Sequence, residues 1–495
     1  MKLTTTRSVV PFMVVFTVTV LVPRLMIFPV LNLGPDEVAY GIIGREILHG
    51  HWPYTTAFDH KPVALYFPFA LSQVIFGASS TALRFLSLIV AITSFALAYL
   101  LCRRLGLRAW SAALLSGVYA LMCLGNDGLA ALSEPILNVY VLGLLVILTY
   151  RLTLFRGVMF GVLMAVAINT NYLIGPILVV PGLFFLFKGR RAKMAWVGGV
   201  LGFLTGCLVA LFPIFAYSSI GDYFQLQRAF LSVYEVTPMT WNQLLGRVEQ
   251  FLAPSLAILI APVAALIVGG ARGRPATGTV WSVVFLTVSI ATACYNRFFY
   301  PHYTIIIAPA ALMISAIAVR RLRQEAGSVS LPSLMLAIAV WVMVVPVLPK
   351  LLTGAEVSGE QLSLGPSRNA PELEVAEAVE RVIEPGDEIY TMDVHDYFLS
   401  GARLPTKFFF PSQHLKPVNA VVMNSTPSAA VREILGKHPR AIVKRTSVRW
   451  PSSVAHLVDT YVRDQCTLST KVGGAAIYVC PSSRATASQR HGVGQ

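Results

Sequence analysis

Apolar runs close to the ~20 residues that cross a bilayer core recur through the first 351 residues, broken by short polar connections. The pattern predicts a polytopic α-helical membrane protein with about eleven transmembrane helices. They fall at 9–31, 81–101, 109–124, 135–150, 157–171, 172–187, 195–217, 252–270, 279–295, 303–319 and 331–349. The connection between the first two, residues 32–80, is itself apolar. Ile42, Ile43, Ile47 and Leu48 fall at helical spacing, and a second apolar stretch runs from Val63 to Phe76. Two helices lying in the membrane interface fit this better than a free loop. From residue 352 the pattern becomes that of a small soluble α/β fold. Glu372 to Arg381 is spaced as a helix, Glu388–Met392 reads as a strand, and Ala420–Met423 and Ala441–Lys444 are short buried-strand candidates. The expected organisation is a transmembrane domain over 1–351, an α/β domain over 352–481 and a disordered polar tail over 482–495.

Charge sharpens this picture. Only 13% of residues are charged, against roughly 25% in a soluble fold, and mean hydropathy is +0.67. These values exclude a water-soluble enzyme, a disordered protein and a nucleic-acid binder. The net charge of +15 is not clustered on a soluble domain: residues 1–351 hold 24 Lys and Arg against 10 Asp and Glu, the rest 15 against 14. Alternate connections are basic, with Arg103, Arg104 and Arg108 in one, Lys188, Arg190, Arg191 and Lys193 in another, and Arg320, Arg321 and Arg323 in a third. By the positive-inside rule these are cytoplasmic. Of the ten acidic residues only Glu325 falls on that side. An odd number of spans with a cytoplasmic N-terminus puts the C-terminal domain outside. The first span does not read as a cleaved signal, since Pro29, Asn32 and Pro35 stand where small cleavage-site residues would. Cys466 and Cys480 flank a candidate hairpin through Gly473-Gly474, where an oxidising compartment leaves both a disulfide and two thiols open.

The chemistry-bearing residues lie on the outer side. Asp36 and Glu37 follow Gly34-Pro35 and fall in the first turn of the first interfacial helix. Acidic groups there offset the helix dipole. Alternatively, a partly desolvated carboxylate beside another has a raised pKa suited to taking a proton from a hydroxyl or amine. Neighbouring helical residues point about 100° apart, so one of the two would face a substrate. Lys61, within Asp59-His60-Lys61-Pro62, either snorkels toward lipid headgroups or neutralises the phosphate of a lipid carrier. His60 reads as a structural hydrogen-bonder, because no second His or Cys stands at metal-ligand spacing. Glu134 is either an N-terminal cap of the fourth span or a second carboxylate of a shared site. Arg297 and His302 are the basic groups in an aromatic run, Tyr295 to Tyr303, that serves as an interface belt or grips a phosphate.

Taken in order, these features resemble one known group. The Asp-Glu pair after the first span, the DHKP lysine and the late Arg-Phe-Phe-Tyr-Pro-His-Tyr are similar to the bacterial branch of the protein O-mannosyltransferase-like membrane glycosyltransferases. Relatives of that branch include the lipid A aminoarabinose transferases and rhizobial galacturonosyltransferases, all of the GT-C fold. The resemblance covers most of residues 1–350, and EPGDEIYTMDVHDYFLSGARLPTKFFF in the C-terminal part resembles the outer domain of that branch. It implies a glycosyltransferase of the bacterial inner membrane that uses a polyprenyl-phosphate-sugar donor at the outer face. By position, Asp36 matches the catalytic base with Glu37 its partner, and Lys61 and Arg297 match cations near the carrier phosphate. Tyr40, Asp59, His60, Glu134, His302 and Tyr303 complete the expected binding set. The expected partners are the donor lipid, a glycan, lipid or protein acceptor, and membrane lipids, with no nucleic acid.

Three departures matter. The common Lys-Pro-Pro is Lys61-Pro62-Val63 here. The acidic residue often placed directly before that Lys is His60, with Asp59 one position earlier, so no metal ligand is assigned and a divalent cation stays an open expectation. Asn169-Thr170-Asn171-Tyr172 stands where relatives often have a lysine. The rival reading is a transporter or flippase of lipid-linked sugars. Such a protein places ionisable residues near the midplane of its spans and repeats its halves, and neither feature is evident.

Overall fold

The computed structural model describes residues 6–28, 33–189, 192–217, 220–234, 240–246, 248–249, 277–295, 300–326, 371–410, 413, 420–446 and 450–481. Two of the eleven expected spans, 252–270 and 331–349, lie outside these residues, as do Arg297 and the expected tail 482–495. Each of the other nine expected spans falls on a helix. The first is α1 (Thr6–Phe16), continued through a π-turn into α2 (Val22–Ile27). Pro23 has no N–H to offer the Thr19 carbonyl, so the hydrogen-bond ladder widens there.

The connection after the first span folds as the apolar spacing predicts, into α3 (Pro35–Leu48) and α4 (Tyr66–Phe76), which pack on each other. The bundle continues through α5 (Ser80–Arg104), α6 (Ala109–Gly125), α7 (Ser133–Leu148), α8 (Leu154–Ile168), α9 (Gly175–Gly189), α10 (Lys193–Tyr217) and α11 (Ile220–Tyr234). It closes with α12 (Thr277–Tyr295) and α13 (Ala308–Ala326). Six described stretches are long and apolar enough to cross a membrane: Val9–Met26, Ser80–Arg104, Tyr172–Gly189, Lys193–Tyr217, Gly278–Tyr295 and His302–Arg321. α6, α7 and α8 are apolar but shorter, at 17, 16 and 15 residues. Large apolar side chains such as Phe155, Leu208 and Val209 face outward, as a lipid-immersed surface requires. The chain is a multi-pass membrane protein.

The tightest helix pair in the bundle is α8 with α10. A Cβ built on Gly161 would overlap the Gly199 carbonyl oxygen, and one on Gly202 would overlap the carbonyl of Val158. In lipid, where apolar burial does not drive helices together, such close backbone approach supplies the attraction. Gly161→Val should therefore force the pair apart at a cost of about 1–3 kcal/mol or more. A thermal-unfolding scan in detergent should register this as a clear fall in Tm, and an unchanged midpoint would deny the close approach.

The C-terminal part builds α14 (Pro371–Glu380), β1 (Ile389–Thr391), α15 (Val394–Ser400), α16 (Ala420–Met423), α17 (Pro427–Gly436), β2 (Ala441–Arg445), α18 (Ser452–Gln465), β3 (Thr467–Val472) and β4 (Ala475–Val479). The strands form one mixed sheet in the order β1-β2-β4-β3. β1 runs parallel to β2, with Ile389 opposite Ala441, and the other pairs are antiparallel. Gly473 and Gly474, at φ +55° and +72°, make the two-residue turn between β3 and β4. The flanking Cys466 and Cys480 are joined in a disulfide. One strand expectation is corrected: Ala420–Met423 is the short helix α16, packed on α11. Val422 drops into an apolar cluster with Tyr54, Phe58 and Tyr223, and this tertiary contact decides what a four-residue apolar run cannot.

The C-terminal part sits directly on α3. Arg45 donates from Nη1 to the Tyr397 carbonyl (3.1 Å) and from Nη2 to that of Ala402 (3.0 Å), capping the C-terminal end of α15. A Cβ on Gly41 would stand 2.9 Å from the Phe398 ring, so the contact needs the glycine. Ile42 and Ile43 of α3 share one core cluster with Val375, Ile389 and Phe398.

Candidate active site

Pro35 opens α3 behind an extended Gly34, which sets Asp36 and Glu37 in the first turn with their side chains on different sides. Glu37 points inward. Its carboxylate is fully buried, 3.7 Å from Arg84 Nη1 of α5, and the burial raises its pKa against the pull of Arg84 and the backbone of Ala131 and Gly34. Asp36 is half-buried and faces a different set of groups. Burial and the nearby Asp59 carboxylate raise its pKa, while Lys61, His302 and His60 draw it partly back. Among the described residues its carboxylate makes no hydrogen bond or ion pair.

The segment carrying Lys61 is held by aromatic hydroxyls. Tyr54 Oη donates to the Lys61 carbonyl at 2.7 Å and Tyr66 Oη does so at 3.1 Å, and Tyr66 Oη also reaches Asp59 Oδ2 at 3.1 Å. His60 supports Asp59 through its backbone N–H (2.7 Å) and ring Nδ1 (2.8 Å to Oδ1), while its ring stacks on Phe230 of α11 at 4.2 Å. Burial alone would raise the Asp59 pKa; His60 and Lys61 outweigh it and hold the group below the usual carboxylate range. Lys61 itself is only 6% exposed, and among the described residues its ammonium has no ion pair or hydrogen bond. A snorkelling lysine would stand open in a structure without lipid. This one is enclosed by protein.

The remaining wall comes from three further stretches. Glu134, at the start of α7, is buried and accepts from Ser133 Oγ (2.9 Å), which in turn accepts from Asn171 Nδ2 (3.3 Å). His302 stands 3.8 Å from Asp127 and packs between Tyr300 and Tyr303. Tyr40, buried on the Asp36 side of α3, lies in the field of Asp36, Asp59, Glu134 and Tyr303. The structure thus gathers Asp36, Tyr40, Asp59, His60, Lys61, Glu134, His302 and Tyr303, and sets Glu37 apart. Tyr54, Tyr66, Asp127, Asn171 and Phe230 belong to the same site without having been expected there. Local pattern offered no signal for the aromatic ones, since tyrosines at this depth read as interface belt. Among the described residues no three His, Cys, Asp or Glu side chains are spaced to hold a metal ion.

An apolar cavity of about 640 Å³ lies against the stretch that follows Lys61 in the chain. Ala64, Phe67, Leu71 and Ile75 line it on one side and Val209 of α10 on another.

Two solved structures of ArnT from Cupriavidus metallidurans superpose on nearly the whole chain. The one bound to undecaprenyl phosphate gives a TM-score of 0.64 at 14% identity, covering 95% of this chain and 98% of ArnT. The apo form gives 0.61 at 16%, covering 96% and 99%. The chain has the ArnT fold. The GT-C architecture implied by the sequence resemblance is therefore the observed one. In sequence, a 116-residue stretch is 36% identical to the undecaprenyl phosphate-alpha-4-amino-4-deoxy-L-arabinose arabinosyl transferase of Erwinia tasmaniensis, spanning 21% of this chain and 20% of that enzyme. No family model matches the chain.

Proposed function

We propose that this protein is a membrane glycosyltransferase that moves a sugar from a polyprenyl-phosphate donor to an acceptor at the outer face of a bacterial inner membrane. One observation carries the reading: a half-buried carboxylate, Asp36, lies in the field of a buried ammonium, Lys61, neither of them ion-paired or hydrogen-bonded among the described residues, and an apolar cavity is lined from Ala64, three positions after that lysine. An anion with a long hydrocarbon tail complements that arrangement. Undecaprenyl phosphate, bound by ArnT in the structure this fold matches, is such a molecule. Asp36 takes the proton of the acceptor nucleophile as it attacks the anomeric carbon. The bond to the carrier oxygen breaks, and the phosphate leaves with its growing charge facing Lys61 and, by sequence position, Arg297. Direct displacement inverts the anomeric centre. Asp59, fixed by His60 and Tyr66, orients the Lys61 segment, while Glu134, His302, Tyr40 and Tyr303 line the sugar and acceptor side.

The C-terminal part, residues 352–481, is the extracytoplasmic unit of this enzyme, and its disulfide is of the kind that persists in an oxidising compartment. The acceptor is lipid A, a polysaccharide, a protein or another lipid. The direct test is incorporation of labelled sugar from a polyprenyl-phosphate donor into envelope lipids or glycans by the purified protein in vesicles. Donor carried across the vesicle without any product would instead make it a transporter.

The charge environment predicts the acid limb of the pH profile. A base works only when ionised, and the Asp36 pKa is raised, chiefly by burial. As pH falls, kcat/KM should therefore drop at a higher pH than the value of about 3.9 of a free aspartate would dictate. A profile flat down to that value would remove Asp36 from the role.

A further inference from the structure

The segment that leads into α3 is gripped from the C-terminal part by His395. His395 Nε2 lies 2.8 Å from the carbonyl oxygen of Leu33, three residues before Asp36, and His395 Nδ1 lies 2.6 Å from Asp393 Oδ1. A carbonyl oxygen only accepts. Asp393 is held as a carboxylate, since against the effect of burial His395 and Arg445 keep its pKa below the usual range, so it too only accepts. A neutral imidazole has one N–H and can satisfy one of these two partners. Only the doubly protonated ring donates to both.

The scaffold behind this ring is rigid. Asp393 caps α15 by accepting from the His395 N–H at 3.0 Å, and its Oδ2 is 3.0 Å from Arg445 Nε. Arg445 Nη2 is anchored on Asp396 Oδ1 at 2.5 Å, and Asp396 Oδ2 accepts from Thr391 Oγ1 at the end of β1. The other charges around the ring come from Glu372 on α14 and from the buried Glu37 on α3. All carboxylates facing His395 favour its charged form; Arg445 is the opposing cation, and it is already paired to both Asp393 and Asp396.

We propose that His395, as an imidazolium, is a positioning residue that locks the entrance of α3, and with it Asp36, onto the sheet-bearing C-terminal part. The inference takes Asp36 as the base proposed above. Deprotonation removes one N–H, and the bond given up is the one to the neutral Leu33 carbonyl, because the carboxylate is the stronger acceptor. Burial alone would lower the histidine pKa, but Asp393, the Leu33 carbonyl and Glu372 raise it above the ordinary value. The sign follows: the clamp is closed below that raised value and opens as pH rises through it. Transfer should then show an alkaline limb set by His395 beside the acid limb set by Asp36.

Hydrogen exchange of the full-length protein in nanodiscs reads the clamp without relying on activity. In the parent, protection of the peptide spanning residues 33–41, corrected for intrinsic exchange, should fall about 10-fold as His395 deprotonates, the loss expected for one charge-assisted bond. In His395→Gln the side-chain amide donates to Leu33 at every pH, so protection should be flat and the alkaline limb of transfer absent. Asp393→Asn, which keeps the ring but removes its counter-charge, should move the parent's transition to lower pH. Protection that is pH-independent in the parent, or that falls equally in His395→Gln, overturns the proposal. Expected exchange behaviour without any sugar transfer would uphold the clamp and overturn the glycosyltransferase reading instead.

Discussion

Asp36→Asn is expected to cost about 10²–10⁴-fold in sugar transfer while leaving the protein at least as stable as the parent. The two halves of this result have one cause. The fold pushes the Asp36 pKa up by burying it beside Asp59, which means that the ionised carboxylate is disfavoured in place. Among the described residues nothing compensates with a direct hydrogen bond or ion pair. Replacing the charge with an amide of the same shape relieves that strain and removes the base. Helix-dipole compensation predicts the opposite sign, a modest loss of stability with activity intact. Parallel measurement of kcat and of Tm in detergent therefore separates the two roles in one variant. A drop in Tm with near-normal transfer would assign Asp36 to the helix and leave the reaction without its base.

Glu37 shows why that distinction was out of reach in sequence. The adjacent carboxylates look equivalent along the chain, and the spacing rule says only that one of them turns away. Which one does so depends on Arg84, 47 positions later, whose guanidinium lies beside Glu37 inside the bundle. The six long apolar helices of the described residues were legible because a bilayer imposes a single length and composition on each span. α3 and α4 were legible because their apolar positions repeat at helical spacing. The lysine was legible as a residue but not as a buried one: its burial, and the Tyr54 and Tyr66 hydroxyls that fix its backbone carbonyl, come only with folding. The same holds for the docking of the C-terminal part. Arg45 finds the carbonyl of Tyr397 across 352 positions, and His395 finds that of Leu33 across 362, distances at which residue type carries no partner information.

Lys61→Met should produce the second large effect, and its signature is double. Methionine matches the buried stem and drops the ammonium, so the leaving phosphate loses a cation placed to meet its developing charge, an interaction worth roughly 10²–10³-fold in rate. Because that charge develops as the bond to the carrier breaks, the loss should fall mainly on kcat, with a smaller rise in donor KM. The second mark is electrostatic. Lys61 draws the Asp36 pKa down more strongly than His302 or His60, so removing it raises that pKa further and moves the acid limb to higher pH. Folding should tolerate the change, because a buried ammonium with no ion pair costs desolvation energy that methionine does not. A lysine that merely anchored α4 to lipid headgroups would give neither mark: its loss would lower Tm and leave both kcat and the pH profile in place. An unmoved acid limb together with full turnover in Lys61→Met would separate Lys61 from Asp36 and dissolve the pocket as a catalytic unit.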